Sequence, residues 1–578
     1  MVYKPYPAYI PVPTTSGTNP GVRLDSYVPR DIRGLFDRGG LPLAEEISEL
    51  RPQQVEAVEW ALSRPEPYLF INAPTGSGKT LINGTFGMLS GRRWTYGVHT
   101  IALQNQVAGS FKNLLVATGR RNHPCLVGRE TVGVDVNADQ AICALGQWCG
   151  HMGKDNPEAP PVPPFGDNKA LSDWEEEFGG KEFCSYYEQQ DALIKSRYRV
   201  ANYALVLTNP LVNKKTDILL ADEAHNIETA VCNSASMFLS RRTYDRLKLP
   251  RFPTSVDMGQ WVHWAEDCLT HIPWPPKKPD FGLLTVRNQL TNLQAASSES
   301  MWLIQHEENG VKLEPVWGAP FVMAKLLGHF KPPANADLFD MSVARGAGIQ
   351  RVLMTSATLM GAEYIAELLG FPEGSWAYLD LPSTFPSINR PINFAPVDGM
   401  NYQKMQTVEG RAKMQGAIDA LIERYVLSGN PWGVVHAVSN RYRDQILTES
   451  RWRAILTTNP EEHKARCSNK TPSVLVAANV AEGWDGYDDL CRFVIMPKVP
   501  FPSLGDKRVA IRKEEDSRSY VHAALVAVVQ GAGRGVRHSE DWADTWILDR
   551  TWNMLYQQHK DWLPDAFLSS YHHNVSIS

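Results

Sequence analysis

Apolar, β-rich runs that stop at a loop and give way to helically spaced apolar residues recur along the chain. This is the pattern of strands buried on both faces of parallel sheets. The runs are Pro67–Ala73, Thr95–Thr100, Asp217–Asp222 and Arg351–Thr355, then Trp432–Ala437, Ser473–Ala477, Cys491–Met496 and Thr545–Leu548. They fall into two groups, one before about residue 370 and one after about 385. That grouping predicts two doubly wound α/β domains with a ligand cleft between them.

Two stretches break the alternation. Residues 115–195 carry four cysteines and the loop NPEAPPVPPFGDN, too rich in proline for a helix or a central strand. Residues 230–300 hold IPWPPKKP and then a helical spacing at Leu283, Val286, Leu290 and Leu293. The segment MWLIQHEENGVKLEPV reads as a hairpin turning at Asn309-Gly310. The expected organisation is a proline-rich arm over 1–30, a first domain from 31–114, 196–229 and 301–375, insertions at 115–195 and 230–300, and a second domain over 376–578.

Composition narrows the class without naming it. At 578 residues, 43% apolar and 21% charged, the chain is an ordinary globular sequence too long for one core. No apolar run of about eighteen residues occurs, so no membrane span is expected. The N-terminal MVYKPYPAYIPVP lacks an apolar signal core, which points to a cytoplasmic or nucleoid-associated protein. The net charge of -5 gives no global signal for nucleic acid. A local one exists: Arg92, Arg93, Lys112, Arg120, Arg121 and Arg129 face a lone acid, Glu130, with Trp94, Tyr96 and Phe111 interleaved. Such a run is most often a solvated face. Of eight cysteines, Cys125, Cys143, Cys149 and Cys184 cluster. Cys232, Cys268, Cys467 and Cys491 stand alone and read as buried thiols.

The chemistry is carried by two short motifs. Ala73-Pro74-Thr75-Gly76-Ser77-Gly78-Lys79-Thr80 follows an expected strand and opens a helix, the context of a phosphate-binding loop. Its glycines let backbone N–H groups turn inward; Lys79 would meet the β- and γ-phosphates of ATP, and Thr80 would ligate Mg²⁺. Asp222-Glu223-Ala224-His225 ends the strand DILLAD. Asp222 would hold Mg²⁺, and Glu223 would polarise the attacking water.

Together these motifs resemble superfamily 2 helicases, and further motifs of that superfamily follow in order. Arg51-Pro-Gln-Gln54 lies where the family has an adenine-reading glutamine, which implies Gln54. His99-Thr-Ile-Ala-Leu-Gln-Asn-Gln106 is similar to a DNA-gripping motif, implying Thr100 and Gln104. Thr355-Ser-Ala-Thr358 resembles the motif that couples ATP state to domain movement. Ala481-Glu-Gly-Trp-Asp485 matches motif V, implying Asp485 at the nucleotide. Gln530-Gly-Ala-Gly-Arg534-Gly-Val-Arg537 has the form in which Gln530, Arg534 and Arg537 reach across the cleft, the arginines as fingers on the γ-phosphate.

Cys125, Cys143, Cys149 and Cys184 are separated by 17, 5 and 34 residues. Spacing alone leaves zinc, an iron–sulfur cluster and unligated thiols open. Their flanks, Gly119-Arg-Arg-Asn-His-Pro-Cys125, Cys184-Ser-Tyr-Tyr187 and Val200-Ala-Asn-Tyr203, look like the cluster domain of XPD/DinG helicases. DLPSTFP (380–386) and PKVPFPSLGD (497–506) resemble DinG-type sequences. The resemblance implies two RecA-like motor domains, the first interrupted by a [4Fe-4S] domain and a small helical arch. It also implies a monomer that uses ATP and Mg²⁺ to move 5′→3′ on single-stranded and forked DNA, Arg120 and Arg121 lying near the fork. With 72 residues before the loop, no exonuclease domain is expected. The alternative is a single-strand translocase that remodels protein–nucleic acid complexes, as an accessory of a phage, plasmid or CRISPR-type system.

Overall fold

A computed structural model describes residues 28–45, 47, 49–126, 184–214, 216–272, 281–294, 300–322, 326, 349–400, 407–478, 486 and 488–577. Of the expected arm only Val28–Arg30 falls within these; Val28 is buried in the first core.

Five strands of the first sheet come early: β1 (Tyr68–Asn72), β2 (Trp94–Val98), β3 (Leu115–Val116), β4 (Tyr198–Asn202) and β5 (Ile218–Asp222). An antiparallel trio interrupts them: β6 (Met237–Ser240), β7 (Trp302–Glu307) and β8 (Gly310–Pro315). The sheet is then completed by β9 (Arg351–Ser356) and β10 (Trp376–Asp380), in the order β10-β1-β9-β5-β2-β4-β3, all parallel. Alternation along β1 shows why it is covered on both sides. Tyr68 and Phe70 join one apolar cluster, while Leu69 and Ile71 join another, as a period of two requires.

The second domain repeats the plan with β11 (Ile392–Asp398), β12 (Trp432–His436), β13 (Leu456–Thr457), β14 (Ser473–Ala477), β15 (Phe493–Met496), β16 (Asp544–Asp549) and β17 (Tyr571–His572). Their order is β13-β14-β12-β15-β16-β11-β17, again parallel. Two doubly wound sheets of this kind are the architecture of RecA-like domains.

Three boundaries differ from the sequence expectation. Strand β10 pairs with β1, so the first sheet runs past 375 to Asp380. Strand β3 pairs with β4, so the first sheet keeps residues 115 and 116. The hairpin β7–β8 turns at Glu308-Asn309, one residue before the expected Asn309-Gly310, because Gly310 already pairs with Glu307; β8 also pairs with β6, so the second insertion extends through Pro315. That insertion is a helix pair on a small antiparallel sheet, not helices alone. Leu283, Val286, Leu290 and Leu293 are all buried on its second long helix, Phe281–Gln294, as their spacing requires.

Helices used below are α1 (Pro52–Ser63), α2 (Lys79–Leu89), α3 (Ile101–Ser110), α4 (Ser185–Lys195), α5 (Ile227–Ala235) and α6 (Lys507–Glu515). Among the described residues no helix is long and apolar enough to cross a membrane.

Candidate active site: the cleft between the two sheets

The register of the first sheet assembles the site. Strand β9 lies between β1 and β5, with Asn72 opposite Ser356 and Asp222 opposite Thr355. The phosphate loop, the Thr355–Thr358 motif and the Asp222–His225 motif therefore emerge side by side, at the carboxyl ends where parallel sheets bind ligands. Within the loop, Gly76 and Gly78 adopt φ of 80° and 77°, a region that suits glycine. A Cβ on Gly76 would stand 2.3 Å from the Phe385 ring, so a side chain there would push the loop off its support.

Pro74, Thr75, Gly76, Gly78, Lys79 and Thr80 border a cleft of about 750 Å³, closed from the second domain by Gln530, Arg534 and Arg537. Ala73 and Ser77 are buried behind this surface. Lys79 Nζ stands 3.2 Å from Glu223 Oε1. Burial works against the charge on Lys79, but Glu223 and Asp222 outweigh it and hold the ammonium above its usual pKa. Asp222 accepts from Tyr96 Oη at 3.1 Å and from the Glu223 N–H at 2.9 Å. Burial is the largest influence on Asp222 and raises its pKa, with Lys79 opposing. Burial also disfavours charge on Glu223, yet Lys79, helped by the hydrogen bond from Ser356, prevails and keeps its carboxyl below the usual range. The ionised form needed to polarise water is thereby maintained.

A chain of hydrogen bonds joins Glu223 to the second domain. Gln530 Nε2 donates to His225 Nε2 at 2.9 Å. In the tautomer this requires, His225 Nδ1–H donates to Ser356 Oγ at 2.8 Å. Ser356 Oγ in turn donates to Glu223 Oε2 at 3.2 Å. Three motifs distant in sequence thus act on one carboxylate, and the link from Gln530 to His225 exists only while the two sheets face each other.

Comparison with known proteins agrees with this arrangement. A helicase C-terminal domain family model matches residues 403–567. The ATP-dependent DNA helicase CHL1 of Saccharomyces cerevisiae (strain YJM789) is 28% identical over 124 residues, covering 18% of this chain and 14% of the yeast protein. CHL1 of Vanderwaltozyma polyspora is 28% identical over 105 residues, 14% of this chain and 13% of that one. The matches thus span only a small part of the curated relatives' length. A solved XPD helicase structure superposes over 91% of this chain and 100% of its own, with a TM-score of 0.54 at 15% identity.

The fold resembles that of an XPD helicase.

Some residues expected to touch DNA are engaged elsewhere. Gln104 is buried, and its Nε2 donates to Ala117 O at 2.5 Å and Val200 O at 3.4 Å. It fastens α3 to the sheet and does not face a strand; only the helix's inward side, visible in three dimensions, reveals this. Thr100 caps α3, accepting the Leu103 N–H at 3.2 Å, and borders the nucleotide cleft. Trp94, Tyr96 and Phe111 are core residues and not stacking surfaces. Arg93 pairs with Asp217 at 3.1 Å. Arg121 is exposed, and Arg120 lies 4.4 Å over the Tyr186 ring. Arg129 and Glu130 lie outside the described residues.

Gln54 is also placed differently from expectation. Its Oε1 accepts the Arg51 N–H at 2.8 Å and its Nε2 donates to Ser77 O at 2.8 Å. It braces the loop from behind, while Arg51 borders the cleft. Cys143, Cys149 and Asp485 lie outside the described residues. Cys125 and Cys184 are both buried, and their flanks meet: His123 and Ser185 bond at 3.0 Å, and Gln189 of α4 binds the backbone of Thr118 at both its N–H and its carbonyl. The four isolated cysteines are buried, as their setting in the sequence predicts.

Two assemblies had no signal in the sequence. Asp541, fully buried, accepts from Arg492 Nη1 and from the Arg537 N–H, both at 3.0 Å, and so fixes the arginine loop. Arg512 of α6 meets Glu228 of α5 at 2.5 and 3.1 Å, donates from Nε to Val316 O at 2.6 Å and lies 4.9 Å over Trp317.

Proposed function

We propose that this chain is an ATP-dependent DNA helicase that moves 5′→3′ on single strands and opens forked duplexes. The observation that carries the reading is the bonded path from Gln530 through His225 and Ser356 to Glu223. It makes the hydrolytic carboxylate responsive to the position of the second domain, which is what converts turnover into movement. Lys79 would hold the β- and γ-phosphates, with Thr80 and Asp222 on Mg²⁺. Glu223 would take the proton of the attacking water, and Arg534 and Arg537 would neutralise charge on the transferring phosphoryl group. The curated relatives are named as DNA helicases, which favours DNA as the track.

The cysteines fit a cluster as far as the structure describes them. Cys125 and Cys184 are buried thiols whose flanks are tied together through His123 and Ser185. With Cys143 and Cys149 they would hold a [4Fe-4S] group, which supplies a rigid covalent tie between distant segments. Full-length protein prepared anaerobically is expected to carry about four irons per chain and to lose them in Cys184→Ser. Stoichiometric zinc without sulfide would exclude the cluster.

The decisive test compares duplexes bearing only a 5′ or only a 3′ single-stranded tail. Unwinding is expected from the 5′ tail, falling steeply with salt because phosphate contacts dominate binding to an unspecific strand. Efficient opening from 3′ tails would reverse the polarity. DNA-stimulated hydrolysis without strand separation on either substrate would identify a translocase instead.

A further inference from the structure

In a base-reading glutamine, the carboxamide must offer a donor and an acceptor together to the adenine edge, at N7 and the 6-amino group. Gln54 is not placed to offer them, because both ends of its amide are bonded within the protein and the side chain does not border the cleft. Its oxygen accepts the Arg51 N–H that begins α1, and its nitrogen donates to the Ser77 carbonyl inside the phosphate loop, both at 2.8 Å. The residue is 3% exposed. A Cβ on Gly78 would stand 2.1 Å from its Nε2, which shows how closely the amide sits against the loop. Turning Gln54 toward a base would orphan a loop carbonyl and a helix-terminal N–H at once, and leaving buried polar groups unpaired is costly.

From the first turn of α1 it is Arg51, not Gln54, that borders the cleft. Its Nη1 donates to Gly76 O at 2.8 Å. A guanidinium carries donors alone and accepts nothing, so it makes no bond to the amino group that distinguishes adenine. A guanidinium plane can stack on any ring, and its N–H donors suit the acceptors of guanine at least as well as N7 of adenine. We propose that this site hydrolyses nucleoside triphosphates with little selection for the base, GTP as readily as ATP, and that Gln54 is a positioning residue for the phosphate loop. This rests on the nucleotide-driven reading of the cleft given above.

The test is steady-state hydrolysis of ATP, GTP and CTP by the full-length chain with oligo-dT present. A bidentate base-edge contact discriminates by roughly fivefold to a hundredfold. The expected kcat/KM values for the three lie within about fivefold of one another, and a preference for ATP beyond that overturns the proposal. In Gln54→Ala, the KM for ATP and for GTP should rise by the same factor, because the loop is loosened for both. A rise confined to ATP would restore Gln54 as a reader of adenine. No hydrolysis of any triphosphate by the unmodified chain would overturn the motor reading itself, and this inference with it.

Discussion

Glu223→Gln is expected to lower the kcat of DNA-stimulated ATP hydrolysis on the order of 10³-fold, within the range usual for loss of a general base. The amide keeps the shape of the carboxylate and can still meet Ser356, but it cannot accept a proton from water. Nucleotide binding should survive, since Lys79 and the loop backbone are untouched; a fluorescent-nucleotide titration beside the turnover assay separates the two. The pH profile carries a second signature. Burial resists ionisation of Glu223, but Lys79, with the hydrogen bond from Ser356, overcomes it and sets its pKa below the ordinary value. Activity in the unmodified chain should therefore persist on acidification past the point where a free glutamate would protonate, and be lost only below it. Substantial turnover in Glu223→Gln would remove this residue from the chemistry.

Arg537→Ala should cost about 10³-fold or more in kcat, the scale of an arginine finger, while single-stranded DNA binding stays within a small factor. Arg537 borders the cleft, and its positive charge is felt at Lys79, where it opposes the ammonium. It comes from the second domain, so its contribution exists only when the cleft is closed. The backbone of Arg537 hangs on Asp541, which Arg492 also holds. Asp541→Asn should therefore reduce kcat by a smaller factor with the finger still present. Single-turnover hydrolysis measures both, and an unchanged rate in Arg537→Ala would assign that arginine to structure.

What the sequence disclosed follows from how local each signal is. The phosphate loop and the Asp222–His225 motif are legible because their chemistry is carried by adjacent backbone and side-chain groups at the end of one strand. The buried strands were legible because burial on both faces leaves unbroken apolar runs. Strands β3 and β13 are two residues each, too short for any periodic signal. The membership of β10 depends on pairing with a strand some 300 residues earlier, which no local pattern encodes. Gln104 and Gln54 sit in motifs, but a motif gives only the residue's place in the chain. Whether an amide faces a ligand or the protein depends on neighbours such as Ala117 and Ser77. Arg512 and Glu228 are 284 residues apart, and nothing nearby in sequence marks either one.

That last pair joins the two domains at a buried point. The Glu228 side chain is 4% exposed and the Arg512 side chain 15%, so parting them would leave two opposite charges uncompensated in the interior. Removing one partner of a buried pair of this kind costs about 3–5 kcal/mol. The pair therefore fastens α6 of the second domain to α5 of the first, with Arg512 at the centre of the joint. Its Nε and its ring contact grip Val316 and Trp317, the strip by which the chain returns from the inserted antiparallel sheet. One side chain thus ties the second domain both to α5 and to the root of the insertion.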